Sequence, residues 1–228
     1  MSCRFIDIAG VRLQPDYSGA LYWPDEATLI LADLHLEKGS SLARRGVFLP
    51  PYDSRSTLQR LARLCARFEP RRVVALGDSF HDPEGPARLP EAERALLGAL
   101  TARHGFVWIA GNHDGLSPGL LGGDVMDTLQ LGPLRFRHLP VPGAPSGEIA
   151  GHLHPCASVS VKGRRFRRRC FVGDGMRLIL PAFGAFTGGL DLFHDAFNGL
   201  FAHRITAFLL GDDAVYAFPE RHLARGCV

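Results

Sequence analysis

Lysine is nearly missing from this chain: Lys38 and Lys162 are the only two, so arginine carries almost all of the 26 basic charges. Genomic composition can produce such a bias without any functional cause. Cysteine is scarce as well. The five thiols, Cys3, Cys65, Cys156, Cys170 and Cys227, are scattered, odd in number and free of any C-x-x-C pair. That pattern excludes a disulfide framework and a thiolate metal site. No apolar run approaches the ~20 residues of a membrane helix, and Met1-Ser2-Cys3-Arg4-Phe5 lacks the basic stretch and apolar core of a signal peptide. The expectation is a cytoplasmic protein with no membrane association. Net charge is only +3, so the molecule as a whole has little pull on a polyanion. No internal repeat or low-complexity tract is present. With 228 residues, 46% hydrophobic and 21% charged, the chain can bury a full core, and we expect one domain over 1–228.

The first half alternates strands and helices. Phe5 to Ile8 and Val11 to Leu13 read as a hairpin, followed by Ala20 to Trp23 and the turn Pro24-Asp25-Glu26. Thr28 to Ala32 is an apolar strand. A short helix over Glu37 to Arg45 stops at Gly46, and Pro50-Pro51 breaks the chain. Asp53 or Ser54 can cap the next helix, whose Leu58, Leu61, Leu64, Cys65 and Phe68 recur at helical spacing. Val73 to Leu76 is the next strand. A Pro/Gly-rich loop follows from His81 to Leu89, then a helix from Pro90 to Arg103 with Ala95, Leu96, Ala99 and Leu100 inward, then the strand Phe106 to Ala110. Strands separated by helices imply parallel pairing with helices packed outside. Beyond Asn112 short strand patterns dominate: Val125–Leu131, Leu134–His138, Ile149–Ala150, Ser158–Val161, Arg164–Val172, Arg177–Leu180, Ile205–Leu210 and Ala214–Phe218, interrupted by a helical pattern over Asp191 to Phe201. The composite is an α/β chain with two sheets face to face and helices outside.

Four of these strands end in metal-ligand chemistry. Ile30-Leu31-Ala32 runs into Asp33-Leu34-His35, and Val73-Val74-Ala75-Leu76 into Gly77-Asp78. Phe106 to Ala110 runs into Gly111-Asn112-His113-Asp114, and Glu148-Ile149-Ala150 into Gly151-His152-Leu153-His154. With 15 aspartates and 10 histidines, one Asp-x-His pair carries little by itself; the fourfold repetition carries the argument. In open α/β sheets ligands gather beyond the carboxyl ends of the strands, so residues far apart in sequence can meet there. Asp33, His35, Asp78, Asn112, His152 and His154 offer carboxylate, amide and imidazole donors without sulfur, a set that suits manganese, iron or zinc better than calcium or magnesium. His138, closing the strand that starts at Leu134, is a natural further imidazole, with a core or surface histidine as the alternative. Seven donors are too many for one ion and suit two that share a carboxylate.

Two divalent ions carry more positive charge than two aspartates cancel, leaving a field suited to a phosphodiester anion. Ions ~3.5–4 Å apart can lower the pKa of a shared water toward ~7 and clamp a phosphate for in-line attack. The leaving oxygen then needs a proton. His113 can supply it as general acid, with Asp114 orienting its ring.

Asp33-x-His35, Gly77-Asp78, Gly111-Asn112-His113-Asp114 and Gly151-His152-x-His154, in this order, resemble the metal motifs of the calcineurin-like metallophosphoesterases. The resemblance implies an αββα sandwich of two mixed sheets flanked by helices. It implies that Asp33, His35, Asp78 and His154 hold one metal, that Asp78 (bridging), Asn112, His138 and His152 hold the other, and that His113 is the acid. His138 lacks the glycine that commonly follows the family's histidine. Within the superfamily the chain is similar to the bacterial ligase-associated DNA-damage-response endonucleases (PdeM-like), through Ala32-Asp33-Leu34-His35-Leu36-Glu37-Lys38-Gly39, Gly151-His152-Leu153-His154-Pro155 and the run from Leu180 to Gly189. Gly77-Asp78-Ser79-Phe80-His81 also resembles a repair-nuclease motif, with Ser79 in place of the commoner leucine. Glu37 stands where glycine is frequent. The resemblance implies a dinuclear phosphodiesterase with manganese first among its metals and iron or zinc as alternatives, DNA as substrate, and a DNA ligase or helicase of repair as partner.

Other readings stay open at this point. The enzyme could hydrolyse small phosphate esters or nucleotides, or keep the fold as a non-catalytic scaffold, although intact motifs argue against the latter. His81 either contacts the scissile phosphate or merely lies near it. In the run Lys162 to Arg169, Arg164, Arg165 and Arg167 could grip a nucleic-acid backbone with Phe166 stacking, or the run is a solvated hairpin face. Phe183, Phe186, Phe193, Phe197 and Phe201 read as core rather than as a platform for bases. His104, His194, His203 and His222 carry no motif.

Overall fold

The computed structural model describes residues 2–50, 52–113 and 122–225. The first sheet is built in chain order from β1 (Ile6–Ile8), β2 (Val11–Pro15), β3 (Leu21–Trp23), β4 (Thr28–Leu31), β5 (Arg72–Leu76), β6 (Gly105–Ile109) and β7 (Asp124–Met126). β1 to β4 pair antiparallel, and β4 to β7 pair parallel. The switch at β4 follows from the connections. Short turns reverse the chain before it, whereas α1 (Lys38–Ala43) and α2 (Asp53–Phe68) lie between β4 and β5, and α3 (Gly85–Arg88) and α4 (Glu91–Arg103) between β5 and β6. Crossovers of that length return the chain in the same direction.

The second sheet takes β8 (Thr128–Leu131), β9 (Leu134–Arg137), β10 (Glu148–Ala150), β12 (Arg164–Gly173), β13 (Arg177–Ile179), β14 (Thr206–Leu210) and β15 (Val215–Pro219) in the order β15-β14-β12-β13-β10-β9-β8. β11 (Cys156–Val161) pairs with the outer part of β12 and with β16 (Leu223–Ala224). β10 is parallel to both neighbours, β9 and β13, amid otherwise antiparallel pairs, so this sheet is mixed as well.

The sheets pack face to face. Alternate residues of the first, among them Leu13, Leu21, Ile30, Val74, Leu76, Val107 and Ile109, meet Leu134, Phe136, Ile149, Phe171, Leu178 and Leu180 of the second in one buried layer. The intervening residues Leu29, Leu31, Val73, Ala75, Phe106 and Trp108 face outward, under Leu58, Leu61, Leu64 and Cys65 of α2 and Leu97 and Leu100 of α4. Both faces of β4 to β6 are therefore apolar, which is why these strands read as continuous hydrophobic runs. The outer face of the second sheet is covered by Leu192, Phe197 and Leu200. The result is a two-sheet αββα sandwich.

Several local expectations are corrected. Asp53 and Ser54 do not cap α2: Tyr52 occupies that position at φ 81, without a side-chain cap. Asp53 instead accepts from the Gly39 N–H at 2.8 Å, and Ser54 bonds Glu37. The loop after His81 contains the short α3. The buried face of α4 is Glu93, Leu97 and Leu100, with Ala95 and Ala99 exposed; Glu93 turns inward to meet Arg55 of α2 at 3.6 Å. The apolar stretch from Val125 to Leu131 is two strands in different sheets, parted at Asp127. Asp191 to Phe201 forms only a single 3-10 turn, Asp195–Phe197.

Candidate metal centre

Every strand-end motif arrives at the same end of the sandwich. The loops after β4 and β5 run side by side beyond their strands: Asp33 N–H donates to Gly77 O, His35 N–H to Asp78 O, Leu36 N–H to Ser79 O and His81 N–H to Leu36 O. The second sheet is tied to them, because Phe183 N–H donates to Ala32 O and Gly184 N–H to Asp33 O. These bonds place Asp33, His35, Asp78 and His81 before any side-chain interaction is considered.

The loop backbones are strained where the donors sit. Asp33, His35, Asp78, His152 and His154 have φ of 52°, 44°, 46°, 69° and 46°. Left-handed backbone costs a non-glycine residue roughly 1–2 kcal/mol, and such strain gathers at functional sites.

Two side-chain trios converge. Asp33, His35 and His154 form one; Asp78, His138 and His152 form the other; within each, the donor atoms lie within 4.8 Å of one another. His35 Nε2 is 3.4 Å from His154 Nε2, which is 3.3 Å from Asp33 Oδ1. His152 Nδ1 is 3.0 Å from His138 Nε2, which is 3.4 Å from Asp78 Oδ1. The trios adjoin, with His138 Nδ1 also 3.8 Å from Asp33 Oδ1. Asp33, Asp78 and His138 are buried.

Second partners fix the donors. His138 Nδ1 lies 2.9 Å from the carbonyl oxygen of Leu76, to which it can only donate, so its Nε2 is left with a lone pair. The His152 N–H donates to both Asp33 oxygens, at 2.9 and 3.2 Å, and the His113 N–H donates to Asp78 Oδ1 at 3.0 Å. The His154 backbone is held by Leu190, whose N–H donates to His154 O at 3.1 Å. Two glycines clear the space: a Cβ on Gly77 would meet His138 Nδ1 at 2.4 Å, and one on Gly151 would meet Asp33 Oδ2 at 2.8 Å.

The donor set fits divalent cations. Carboxylate and imidazole lone pairs face one another at 3.3 and 3.4 Å, with too few protons to bridge them all. The His35 ring turns its Nε2 into this trio, while its buried Nδ1 has no hydrogen-bond partner among the described residues. Burial, together with the neighbouring imidazoles, pushes the His35 pKa down, and burial and His138 do the same for His152. Both stay neutral and ready to ligate. Burial also pulls on His154, but its hydrogen bond to Asp33 and that carboxylate's charge outweigh it, so His154 ends raised.

The remaining candidates fall around this centre. Asn112 is exposed and lines a cavity of ≈ 390 Å³ together with Arg137, His138 and Leu139. His113 is exposed, its Nε2 3.8 Å from Asp78 Oδ2. His81 lies parallel to His113, with ring centroids 5.8 Å apart and an interplanar angle of 5°, and both stand edge-on to His35. Asp114 lies outside the described residues. Arg164, Arg165 and Arg167 are exposed on the β11–β12 hairpin; Arg164 lies over Phe166, Arg165 donates to Arg225 O at 2.6 Å and Arg167 to Gly189 O at 2.7 Å. Of the phenylalanine series, Phe183 and Phe197 are core, whereas Phe186 and Phe193 are exposed.

Sequence reasoning missed two supports. Glu37 is buried and accepts from the hydroxyls of Ser40 and Ser54, each at 2.7 Å, tying the first ligand loop to α2. Arg88 donates to Ser40 at 3.0 Å and to Asp82 at 2.6 Å, tying the loop after His81 to α1. The serine spacing around Glu37 was the one available signal for either.

No protein-family model and no curated protein matches the sequence. Among solved structures, the Pseudomonas putida nuclease MPE is similar at 30% identity, over 93% of this chain and 98% of that one, with a TM-score of 0.69. A phosphoesterase from E. coli is similar at 17% identity over 84% of this chain and 97% of that one, with a TM-score of 0.44. The first of these likenesses covers nearly the whole of both chains. The chain belongs to the calcineurin-like metallophosphoesterases, in the family of the P. putida nuclease, and is a metal-dependent phosphoesterase.

Proposed function

We propose that the protein is a dinuclear phosphodiesterase that cuts DNA internally in bacterial DNA repair, with His113 as its general acid. The observation that carries the reading is the pair of adjoining trios, Asp33/His35/His154 and Asp78/His138/His152, at one end of the sandwich. Asp33, His35 and His154 would hold one ion and Asp78, His138, His152 and Asn112 the other, with Asp78 shared. Manganese is the first choice by the family resemblance, and the nitrogen and oxygen donors, without sulfur, suit iron and zinc as well. The ions, when bound, supply charge for the phosphate oxygens and an acidified water.

The chain's own groups do the rest. The N–H groups of His152 and His113 pin the carboxylates of Asp33 and Asp78, so the donors need little reorganisation when a phosphate arrives. His113 reaches over this centre from an exposed position, where its ring can deliver a proton to the leaving oxygen. His81, parallel to it, walls the same approach and can donate to a phosphate oxygen. The nuclease relative supports a polynucleotide over a small ester; the repair setting and a ligase or helicase partner belong to the same proposal.

The test is manganese-dependent cleavage of circular single-stranded DNA, with a chromogenic phosphodiester and His113→Ala in parallel. Linearisation of the circle that falls at least about 100-fold in the variant, with metal content unchanged, supports internal cutting and the acid. Hydrolysis of the small diester alone overturns the DNA substrate and moves the protein to small-ester chemistry.

A further inference from the structure

An arginine-lined pocket lies on the far side of the segment that steadies His154. Its volume is ≈ 380 Å³, and Tyr17, Arg167, Arg168, Arg169, Thr187 and Gly188 form its polar wall. Arg167 and Arg169, two apart on β12, project to the same side of the strand. Both reach the 182–189 segment: Arg167 donates to Gly189 O at 2.7 Å and Arg169 to Ala182 O at 2.8 Å. Each such bond uses one of five guanidinium donors, so the side chain is pinned while most of its donors stay free.

The positive charge here is only partly compensated, by Asp212, which also lines the pocket. Among the described residues no carboxylate pairs with Arg167 or Arg169, and Arg168 has only the exposed Asp212 at 4.0 Å. Arg60 of α2 comes up behind the same segment, over the Phe183 ring and donating to Phe183 O; its buried Nε has no partner among the described residues. Burial and the nearby charge of Arg169 hold Arg60 below the usual arginine range. Repulsion among partly buried guanidiniums costs stability unless an anion relieves it.

The pocket also shares its wall with the metal centre. Gly188 and Gly189 line it; Leu190 N–H donates to His154 O at 3.1 Å, and Gly189 lies against the His154 backbone so closely that a Cβ there would be 2.4 Å from His154 O. A strand with its scissile phosphate beside His154 has this wall as its neighbour. We propose that the pocket of Arg167, Arg168, Arg169 and Thr187 is a second phosphate subsite, taking a backbone phosphodiester of the strand beside the one that is cut. This rests on the polynucleotide reading above. Arg guanidinium suits it because its planar fork matches two phosphate oxygens, and phosphate contacts position a strand without reading its sequence.

The test measures binding apart from cleavage. Labelled oligothymidylate is titrated into the metal-free protein across a salt series, for the wild type, Arg167→Ala/Arg168→Ala, and Arg12→Ala as a control for net charge. Arg12 is exposed on β2 beside Asp7. Unfolding temperature reports that each variant is folded. The double variant should bind on the order of ten-fold more weakly, with the slope of log K against log salt reduced by about 1.4, as expected for two lost contacts to a single strand. Arg12→Ala should match the wild type. A double variant that binds like the wild type with an unchanged slope overturns the subsite, whatever happens in cleavage. A wild type that binds through these arginines but fails to cut circular DNA keeps a backbone-phosphate site here and overturns internal cutting instead.

Discussion

The main-chain N–H of His152 donates to both carboxylate oxygens of Asp33, at 2.9 and 3.2 Å, across 119 positions of sequence and between the two sheets. It ties a proposed ligand of one trio to the backbone of a proposed ligand of the other. The contact is possible only because Gly151 precedes it: a Cβ there would stand 2.8 Å from Asp33 Oδ2 and 3.2 Å from Leu76 O. Gly151→Ala should therefore push Asp33 out of place, cost about 1–3 kcal/mol in stability by overpacking, and abolish metal retention through dialysis. Wild-type metal content in that variant would contradict the arrangement.

His138→Ala tests the division into two trios. The imidazole is buried and bonded to Leu76 O at 2.9 Å, so its removal should cost about 1–3 kcal/mol for the abandoned carbonyl. The trio of Asp33, His35 and His154 is left intact. Bound manganese should fall from two ions toward one per chain, read by titration with the metal; retention of two ions would remove His138 from the ligand set.

Glu37 sets two effects against each other. It occupies φ 62, so Glu37→Gly relieves about 1–2 kcal/mol of left-handed backbone cost. It also deletes a buried carboxylate that accepts two serine hydroxyls at 2.7 Å, and hydrogen bonds to a charged group are worth roughly 1.5–3 kcal/mol each. The second effect is larger. The variant should be less stable, with a lower midpoint in chemical denaturation.

The metal centre was legible because each motif ends a buried strand, and topology alone brings strand ends together: Asp33, Asp78, His138 and His152 follow β4, β5, β9 and β10. What the sequence concealed has local causes. Leu192, Phe197 and Leu200 are all buried, which imitates a helix. Yet Phe193 N–H donates to Asp191 Oδ1, Ala196 N–H to His194 Nδ1, and Asn198 Nδ2 to Asp195 Oδ1. Side chains that satisfy nearby donors in this way offer the backbone an alternative to the helix. The split at Asp127 was hidden because both strands beside it have the same half-buried alternation, and only pairing with β6 or with β9 tells them apart. The inward turn of Glu93 depends on Arg55, a residue of another helix that periodicity along α4 cannot see.

Acidity should act on metal binding and on the His154–Asp33 attraction in opposite directions. The folded pKa of His154 is raised above the ordinary value, since the Asp33 hydrogen bond and charge outweigh its burial. In the metal-free protein the His154–Asp33 attraction is therefore fully present below about pH 6.5, and is lost as pH rises through the raised pKa. Metal needs the neutral imidazole, so affinity must climb over that same interval. His35 and His152, whose pKa values are lowered, resist protonation in the folded chain but take up protons in the unfolded one below about pH 6.5, so they contribute stability that grows as pH rises and oppose the His154 contribution. Between about pH 6 and pH 8, manganese affinity should therefore rise, and the His154 contribution is read by comparison with a variant. His154→Gln should make the melting temperature of the metal-free protein climb more steeply with pH than in the wild type, because the attraction to Asp33 no longer weakens as a proton leaves. An unchanged slope in the variant would show that His154 is not the group that titrates.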